Sequence, residues 1–491
     1  MDILKIKTLK QLKDSGFQVK SVKDELRDNL IEKIKSNENV FKGIFGYEDT
    51  VIPNIERAIL SRHSINMLGL RGQAKTRIAR MMTQLLDEYM PIIEGSEVND
   101  NPFDPVSYFG KQLVKEKGDE TPIAWVHRNE RYVEKLATPD VSIADLIGDV
   151  DPIKAANLKL DYSDPRVIHF GLIPRANRCL FVINELPDLQ ARIQVALFNI
   201  LQEGDIQIRG FQLRFPLDIQ FMFTANPEDY TNRGSIITPL KDRIQSQIMT
   251  HYPKTIELAK DITKSEAKVT DFQKDNITVP EIVKDLLEQI SFEARESEFV
   301  DEKSGVSARL SISAYETMLS AAERRMLKSG DSKTTVRISD VMSVIPAIIG
   351  KIEMVYEGEQ EGAVNVSYAL IRSAIRTQAI TFFPELKDLK KLKNNSSETY
   401  NSIINWFSTN KLDLLNELSE KDFYKELERV ENLKEIIKEK FPALPEEGTY
   451  LMMEYLLHSL AEYSYLNKSK LERSFKFEDL LGSMFSGDLE L

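Results

Sequence analysis

The sequence predicts an α/β fold: an αβα domain on a mostly parallel sheet, then a smaller helical domain and an additional helical C-terminal region. Three observations predict it. From Phe41 to about Pro253, short apolar runs alternate with amphipathic stretches, the pattern of strands joined by crossover helices. One of these runs leads through a glycine-rich turn directly into a helical stretch. From about Lys254 the apolar residues recur at helical spacing, as in VPEIVKDLLEQISFEARE.

The expected organisation is a helical N-terminal extension over 1–40, the αβα domain over 41–253, a helical domain over 254–360 and a helical C-terminal domain over 361–491. The candidate strands are SINMLGL, RCLFVIN and DIQFMFTAN, each followed by polar or glycine-rich residues, as the carboxyl edge of a ligand-binding sheet is. EGEQEG near residue 360 reads as a linker, and LKKLKNNSSETYNS as a loop. In YKELERVENLKEIIKEKF, Leu427, Val430, Leu433, Ile437 and Phe441 fall at helical spacing, and LMMEYLLHSLAEY reads as another packed helix.

Composition excludes several classes. The chain of 491 residues is 42% hydrophobic and 29% charged, ordinary for a folded soluble protein. Its net charge of -12 does not favour a general nucleic-acid surface. No apolar run approaches the ~20 residues that span a bilayer, and the N-terminus is too charged for a signal peptide. A single cysteine, Cys179, rules out an internal disulfide framework and a multi-cysteine metal site. A cytoplasmic location is the expectation that follows.

The most informative segment is Gly69-Leu70-Arg71-Gly72-Gln73-Ala74-Lys75-Thr76, between an apolar run and the helical stretch RIARMMTQLLDEY. In that setting backbone N–H groups of the loop and of the helix start surround phosphate oxygens. Lys75 then reaches the β- and γ-phosphates and Thr76 ligates Mg²⁺, with Arg77 next along the helix. Ala74 stands where this loop pattern ends in glycine: a negative φ there costs little, a positive φ strains the loop.

LFVINE reads as a buried strand ending in two polar groups. Glu185 suits a general base that polarises an attacking water. Asn184 occupies the place of the usual Mg²⁺-holding Asp; it reaches a metal through water but adds no charge. Beyond it, Gln207, Arg209, Gln212 and Arg214 alternate with apolar residues about Gly210, which suggests a two-stranded ribbon. Asn226 ends the next strand, where it can orient water or sense a γ-phosphate. Arg243 in ITPLKDR has the chemistry of an arginine finger, and Arg309 starts a helix in the smaller domain.

Taken in order, GLRGQAKT, GLIPRANRCLFVINELPDL, GDIQIRGFQLRFP, TANPEDY and ITPLKDR resemble the AAA+ ATPases of the magnesium-chelatase I-subunit and MoxR-like group, over roughly Phe41 to Lys351. ATPDVSIADLIGDVDPIKA resembles the start of that group's insert near helix two. The resemblance implies a P-loop αβα domain with a helical lid, ATP and Mg²⁺ as ligands, and a nucleotide site formed by Gly69, Arg71, Gly72, Gln73, Ala74, Lys75, Thr76 and Arg77. It implies Glu185 as catalytic base, Asn226 as first sensor, Arg243 as a finger acting on a neighbouring subunit and Arg309 as second sensor. It also implies a homo-oligomeric ring, commonly hexameric, a protein client and a separate partner carrying a von Willebrand factor A domain, since no D-x-S-x-S motif occurs in this chain. Other readings are an AAA+ transcriptional activator, against which the absent GAFTGA loop speaks; a nucleotide-binding scaffold with weak hydrolysis, suggested by Ala74 and Asn184; and a DNA motor using Arg209 and Arg214.

Overall fold

The computed structural model describes residues 3–161, 164–208, 214–226, 235–387, 398–471 and 474–478. Two compact units divide the chain, Met1–Tyr252 and Pro253–Leu491.

The first unit is built on a five-stranded sheet. Its strands are β1 (Ile65–Leu68), β2 (Tyr132–Leu136), β3 (Cys179–Asn184), β4 (Ile219–Ala225) and β5 (Ser246–Met249). They lie side by side in the order β5-β1-β4-β3-β2, and every neighbouring pair is parallel. The three expected strands are thus present, and every residue of β1, β3 and β4 is buried. Such continuous burial is what covering both faces of a parallel sheet demands.

Strand alternation sorts the side chains into two apolar layers. Leu180, Val182 and Met222 face one core, packed with helices α1 (Val22–Lys35), α2 (Val51–Leu60) and α3 (Lys75–Met81). Phe181, Ile183, Phe221 and Phe223 face the other, with α4 (Ala191–Glu203) and α5 (Thr238–Arg243). The charged N-terminal segment is tied into this arrangement. Val22, Leu26 and Leu30 of α1 are core residues, and its Glu25 forms a buried two-pronged ion pair with Arg131, both bonds 2.6 Å. Breaking one side of such a pair leaves a buried charge uncompensated, at a cost of about 3–5 kcal/mol.

Two sequence expectations change here, and one holds. The helix after the glycine-rich turn is short: α3 ends at Met81, a 3₁₀ turn covers Met82–Leu85, and Tyr89–Ile93 is a strand paired with Ile123–His127. EGEQEG is not a linker but part of the helix Tyr356–Glu361. Asp205–Gln207 does pair antiparallel with Arg214–Pro216, as the ribbon expectation has it, whereas Arg209, Gly210 and Gln212 lie outside the described residues.

In the second unit, α6 (Glu281–Glu296), α7 (Arg309–Ser329), α8 (Ala363–Phe382) and α9 (Glu446–Glu462) share one core running from Ile277 to Phe477. The C-terminal part is not wholly helical. Leu412–Leu415 (β6), Asn467–Leu471 (β7) and Ser474–Glu478 (β8) form an antiparallel sheet in the order β6-β8-β7. Phe475 and Phe477 alternate with Lys476 on β8, a period of two that buries one face. The helical run expected over YKELERVENLKEIIKEKF breaks at Asn432, whose φ of 62° starts a second helix.

Glu454 on α9 is fully buried and accepts the backbone N–H groups of Ile338 and Ser339 at 2.8 and 3.1 Å, capping the Ile338–Val341 helix. Burial pushes its carboxyl up to about 7, with Asp340 adding to the rise and Arg337 opposing it. Between the ordinary carboxyl range and that value the folded chain holds a proton the unfolded chain has released, so stability falls as pH rises through this window. His458, also buried, stays neutral well below its usual range and contributes with the opposite sign under acid conditions. Glu454→Gln is therefore expected to gain stability relative to the parent between about pH 5 and about pH 8. Paired thermal melts across that range check this; a difference that does not change with pH removes Glu454 as the titrating group.

Candidate nucleotide site at the carboxyl edge of the sheet

A parallel sheet brings the ends of all its strands to one edge. The register sets Leu68 beside Ala225, and Leu136 beside Asn184. Gly69 follows β1 and donates its N–H to Ala225 O at 3.0 Å, which places buried Asn226 next to the start of the glycine-rich loop. Asn184 ends β3 and Glu185 follows it. Lys75, Thr76, Asn184, Glu185 and Asn226 therefore come from one edge, as their spacing in the sequence predicts.

The loop holds its shape by close packing. A Cβ on Gly69 would sit 1.9 Å from Thr250 Oγ1 and 2.2 Å from Gln73 Oε1, so no other residue fits without displacing that pair. Thr250, just past β5, donates to Gln73 Oε1 at 2.6 Å and to Leu68 O at 3.2 Å. Tyr47 Oη donates to Gln73 O, and Tyr252 Oη to Arg71 O, each from outside the loop. Arg71 and Arg77 are exposed.

Lys75 is buried, 8% exposed, and its ammonium donates to Gly69 O at 2.5 Å and Leu70 O at 2.8 Å. Gly72 has φ 73° and Ala74 φ 56°, ψ 13°. Ala74 is therefore in the left-handed region, the strained branch of the sequence expectation, at a cost of about 1–2 kcal/mol. Ala74→Gly is expected to stabilise the chain by about 0.5–1 kcal/mol, the relieved strain being partly offset by the freer unfolded chain. Denaturant titration reads this; a destabilised variant would mean that the methyl group's packing against the neighbouring core outweighs the strain.

Thr76 Oγ1 donates to Asn184 Oδ1 at 3.3 Å. Thr224 Oγ1 donates to the same oxygen at 3.1 Å and accepts the Glu185 N–H at 3.2 Å, linking the two polar residues at the end of β3. Glu185 has φ 55° and ψ 50°, so the chain turns sharply just where its carboxylate leaves the sheet.

Sequence reading missed Glu134 on β2. Its Oε1 accepts from Asn184 Nδ2 at 2.5 Å, and its Oε2 accepts from Arg80 Nη2 at 2.9 Å and Tyr132 Oη at 3.0 Å. The hydrogen bond from Arg80 to Glu134 raises the guanidinium further above its usual range. Thr76 and Arg80 are four residues apart on α3 and so share a face. YVEKL carries no motif; only the pairing of β2 with β3 brings Glu134 to the site.

Arg243 ends α5, half-buried, with Nε donating to Gln202 Oε1 at 3.0 Å, Nη1 donating to Pro239 O at 2.8 Å, and its guanidinium 4.9 Å from the Phe198 ring centre. None of these bonds goes to residues 69–77. Arg309 is exposed in the first turn of α7, in the second unit, with its backbone N–H on Ser307 Oγ. NPEDY after Asn226 lies outside the described residues. Among the described residues no group of three or more His, Cys, Asp or Glu is placed to hold a metal, and no helix is long and apolar enough to cross a membrane.

No protein-family model and no curated protein matches the chain. Several solved structures are similar to it. A candidate ATPase from Cytophaga hutchinsonii is 17% identical, with 74% of this chain and 98% of that chain covered and a TM-score of 0.28. NtrX from Brucella abortus is 14% identical, with 71% and 66% covered and a TM-score of 0.38. The complex between subunits BchI and BchD of magnesium chelatase, built from a cryo-EM reconstruction, is 17% identical, with 63% and 93% covered and a TM-score of 0.31. In sheet order this chain is an α/β protein on a five-stranded parallel sheet, with a glycine-rich loop running from β1 into α3.

Proposed function

We propose that this chain is a Mg-ATP-hydrolysing AAA+ motor of the MoxR/magnesium-chelatase type. The observation that carries the reading is the meeting of Thr76 Oγ1 with Asn184 Oδ1 at 3.3 Å, one residue from the buried Lys75 ammonium and at the same strand edge as Glu185 and Asn226. The donor set fits the ligands. Hydroxyl and amide oxygens are hard donors that suit Mg²⁺, which keeps several of its waters. Gly72 and Ala74 have left-handed φ, the kind of backbone that in anion sites turns successive N–H groups toward the ligand. Bound Mg²⁺ would supply charge neutralisation at the β- and γ-phosphates.

The roles follow from chemistry and position. Gly69, Arg71, Gly72, Gln73, Ala74 and Arg77 form or flank the cradle, and Lys75 binds phosphate. Thr76 holds the metal directly and Asn184 holds it through water. Glu185 takes the proton from the attacking water, Asn226 orients that water, and Arg243 serves a neighbouring subunit's site. Arg309 acts as second sensor from the lid. The assembly is a homo-oligomeric ring that works on a protein client, or assists metal or cofactor insertion, together with a separate protein carrying a von Willebrand factor A domain. Its parts are an extension (1–40), the ATPase domain (41–253), the lid (254–360) and a C-terminal domain (361–491).

Phosphate release with Mg-ATP, measured on purified protein across a concentration series, tests the reading. Slow turnover that rises per chain with concentration is expected. Failure to bind ATP overturns it. A nucleotide-binding scaffold is the second reading, favoured by the strained Ala74 and the neutral Asn184. Bound ATP recovered intact from assembled protein after long incubation would select it.

A further inference from the structure

Asn184 leaves the metal side of the site without a charge, yet its amide is not free to turn. Glu134 is a carboxylate and only accepts, so the Asn184 NH₂ must face it, at 2.5 Å. The carbonyl oxygen is thereby aimed the other way, at the hydroxyls of Thr76 and Thr224. We propose that Glu134, on the strand beside β3, is the positioning residue of the metal site: it holds Asn184 Oδ1 toward Thr76 and supplies from one residue further out the negative charge that an Asp at position 184 would bring.

This rests on the reading of the loop as a Mg-nucleotide site. Its physical basis is separate. The attraction between charges falls only as the inverse of their separation, so a carboxylate moved back by one amide keeps much of its pull on a cation. Hydrogen bonding to the carboxylate also polarises the amide and makes its oxygen a better donor, as outer carboxylates do for metal-bound histidines. Arg80 tempers this charge. Its side chain is 67% exposed against 27% for Glu134, so it sits on the solvent side of the carboxylate, away from Asn184. A surface ion pair between Arg80 and Glu134 would need neither Asn184 nor its orientation; the third bond, inward to Nδ2, is what links the pair to the site.

The charge, not the shape, is predicted to matter. Glu134→Gln keeps the shape and one acceptor oxygen, enough for Asn184 or for Arg80, and removes the charge. The Mg²⁺ concentration at half-maximal binding of a fluorescent ATP analogue is expected to rise about 10–100-fold, the range of outer-sphere substitutions at metal sites. Affinity for the analogue without Mg²⁺ should not change. Asn184→Asp alone sets two carboxylates at the spacing of one hydrogen bond and is not expected to tighten Mg²⁺ binding. The double variant Asn184→Asp with Glu134→Gln exchanges acid and amide, and should return the midpoint to within about threefold of the parent, by restoring one charge and one amide. Mn²⁺ bound with the nucleotide, followed by electron paramagnetic resonance, reads the same series without turnover.

Arg80→Gln, at an exposed position, keeps the test independent of folding at Glu134. Removing this counter-charge should lower the midpoint by about two- to fivefold, the scale of an exposed ion pair. Equal midpoints for the parent and Glu134→Gln, or a double variant no better than Glu134→Gln, would overturn the proposal and leave the ATPase reading standing. A parent protein that binds no nucleotide with or without Mg²⁺ removes both.

Discussion

Lys75→Ala is expected to abolish nucleotide binding, while Glu185→Gln keeps binding and stops turnover. The Lys75 ammonium is almost fully withdrawn from water and donates to the carbonyls of Gly69 and Leu70. Those carbonyls are neutral acceptors, so exchanging them for phosphate oxygens replaces ordinary bonds by charge-assisted ones, worth about 1.5–3 kcal/mol each. Losing two such bonds weakens binding by about 100-fold or more. The truncation removes the two bonds within the loop as well, so circular dichroism must show an intact fold before the result counts. Glu185 follows β3 at a sharp turn and joins the Thr76–Asn184–Thr224 cluster through its backbone N–H on Thr224 Oγ1, which a side-chain change leaves in place. Changing it to Gln leaves the bonds from Thr76 and Thr224 to Asn184 in place. It removes the basicity, which in general-base catalysis contributes about 10²–10⁴-fold. Filter binding and phosphate release on the same preparations separate the two effects. Undiminished turnover in Glu185→Gln would refute its role as base.

The parts of this site that a reader of the sequence can find are those written in continuous apolar runs. β1, β3 and β4 are buried on both faces, so their residues are apolar almost throughout and their polar ends stand out. Asn184, Glu185 and Asn226 are legible for that reason. β2 is half-exposed at the edge of the sheet, and its polar pattern hides it. Glu134 was therefore invisible, because its neighbour Asn184 is 50 residues away and only parallel pairing joins them. The conformation of Ala74 was posed by the sequence as a choice between two branches, and the backbone decides it. The C-terminal sheet was missed for another reason. Its strands are four or five residues long and rich in charge, so no window of helical length registers them.

Arg243→Ala should retain ATP binding and lose turnover by roughly 10³-fold or more, the scale of other arginine fingers. The guanidinium is held by Gln202, Pro239 and the Phe198 ring, and none of these contacts involves the loop that carries Lys75. A finger held away from its own chain's loop can serve a second copy of the chain. One subunit then supplies the cradle and the next supplies the charge that stabilises the transition state. This arrangement has a consequence no in-chain mechanism shares. Arg243→Ala chains have intact cradles and Lys75→Ala chains have intact fingers, so mixing two inactive proteins should recover part of the activity. The recovered fraction should depend on the mixing ratio, because only interfaces that join an intact cradle to an intact finger turn over. Light scattering on the same mixtures must show joint assembly for the result to be read. A monomer that hydrolyses ATP fully at high dilution, or mixed assemblies with no recovery at all, would place the stabilising charge within the chain and remove Arg243 from the reaction.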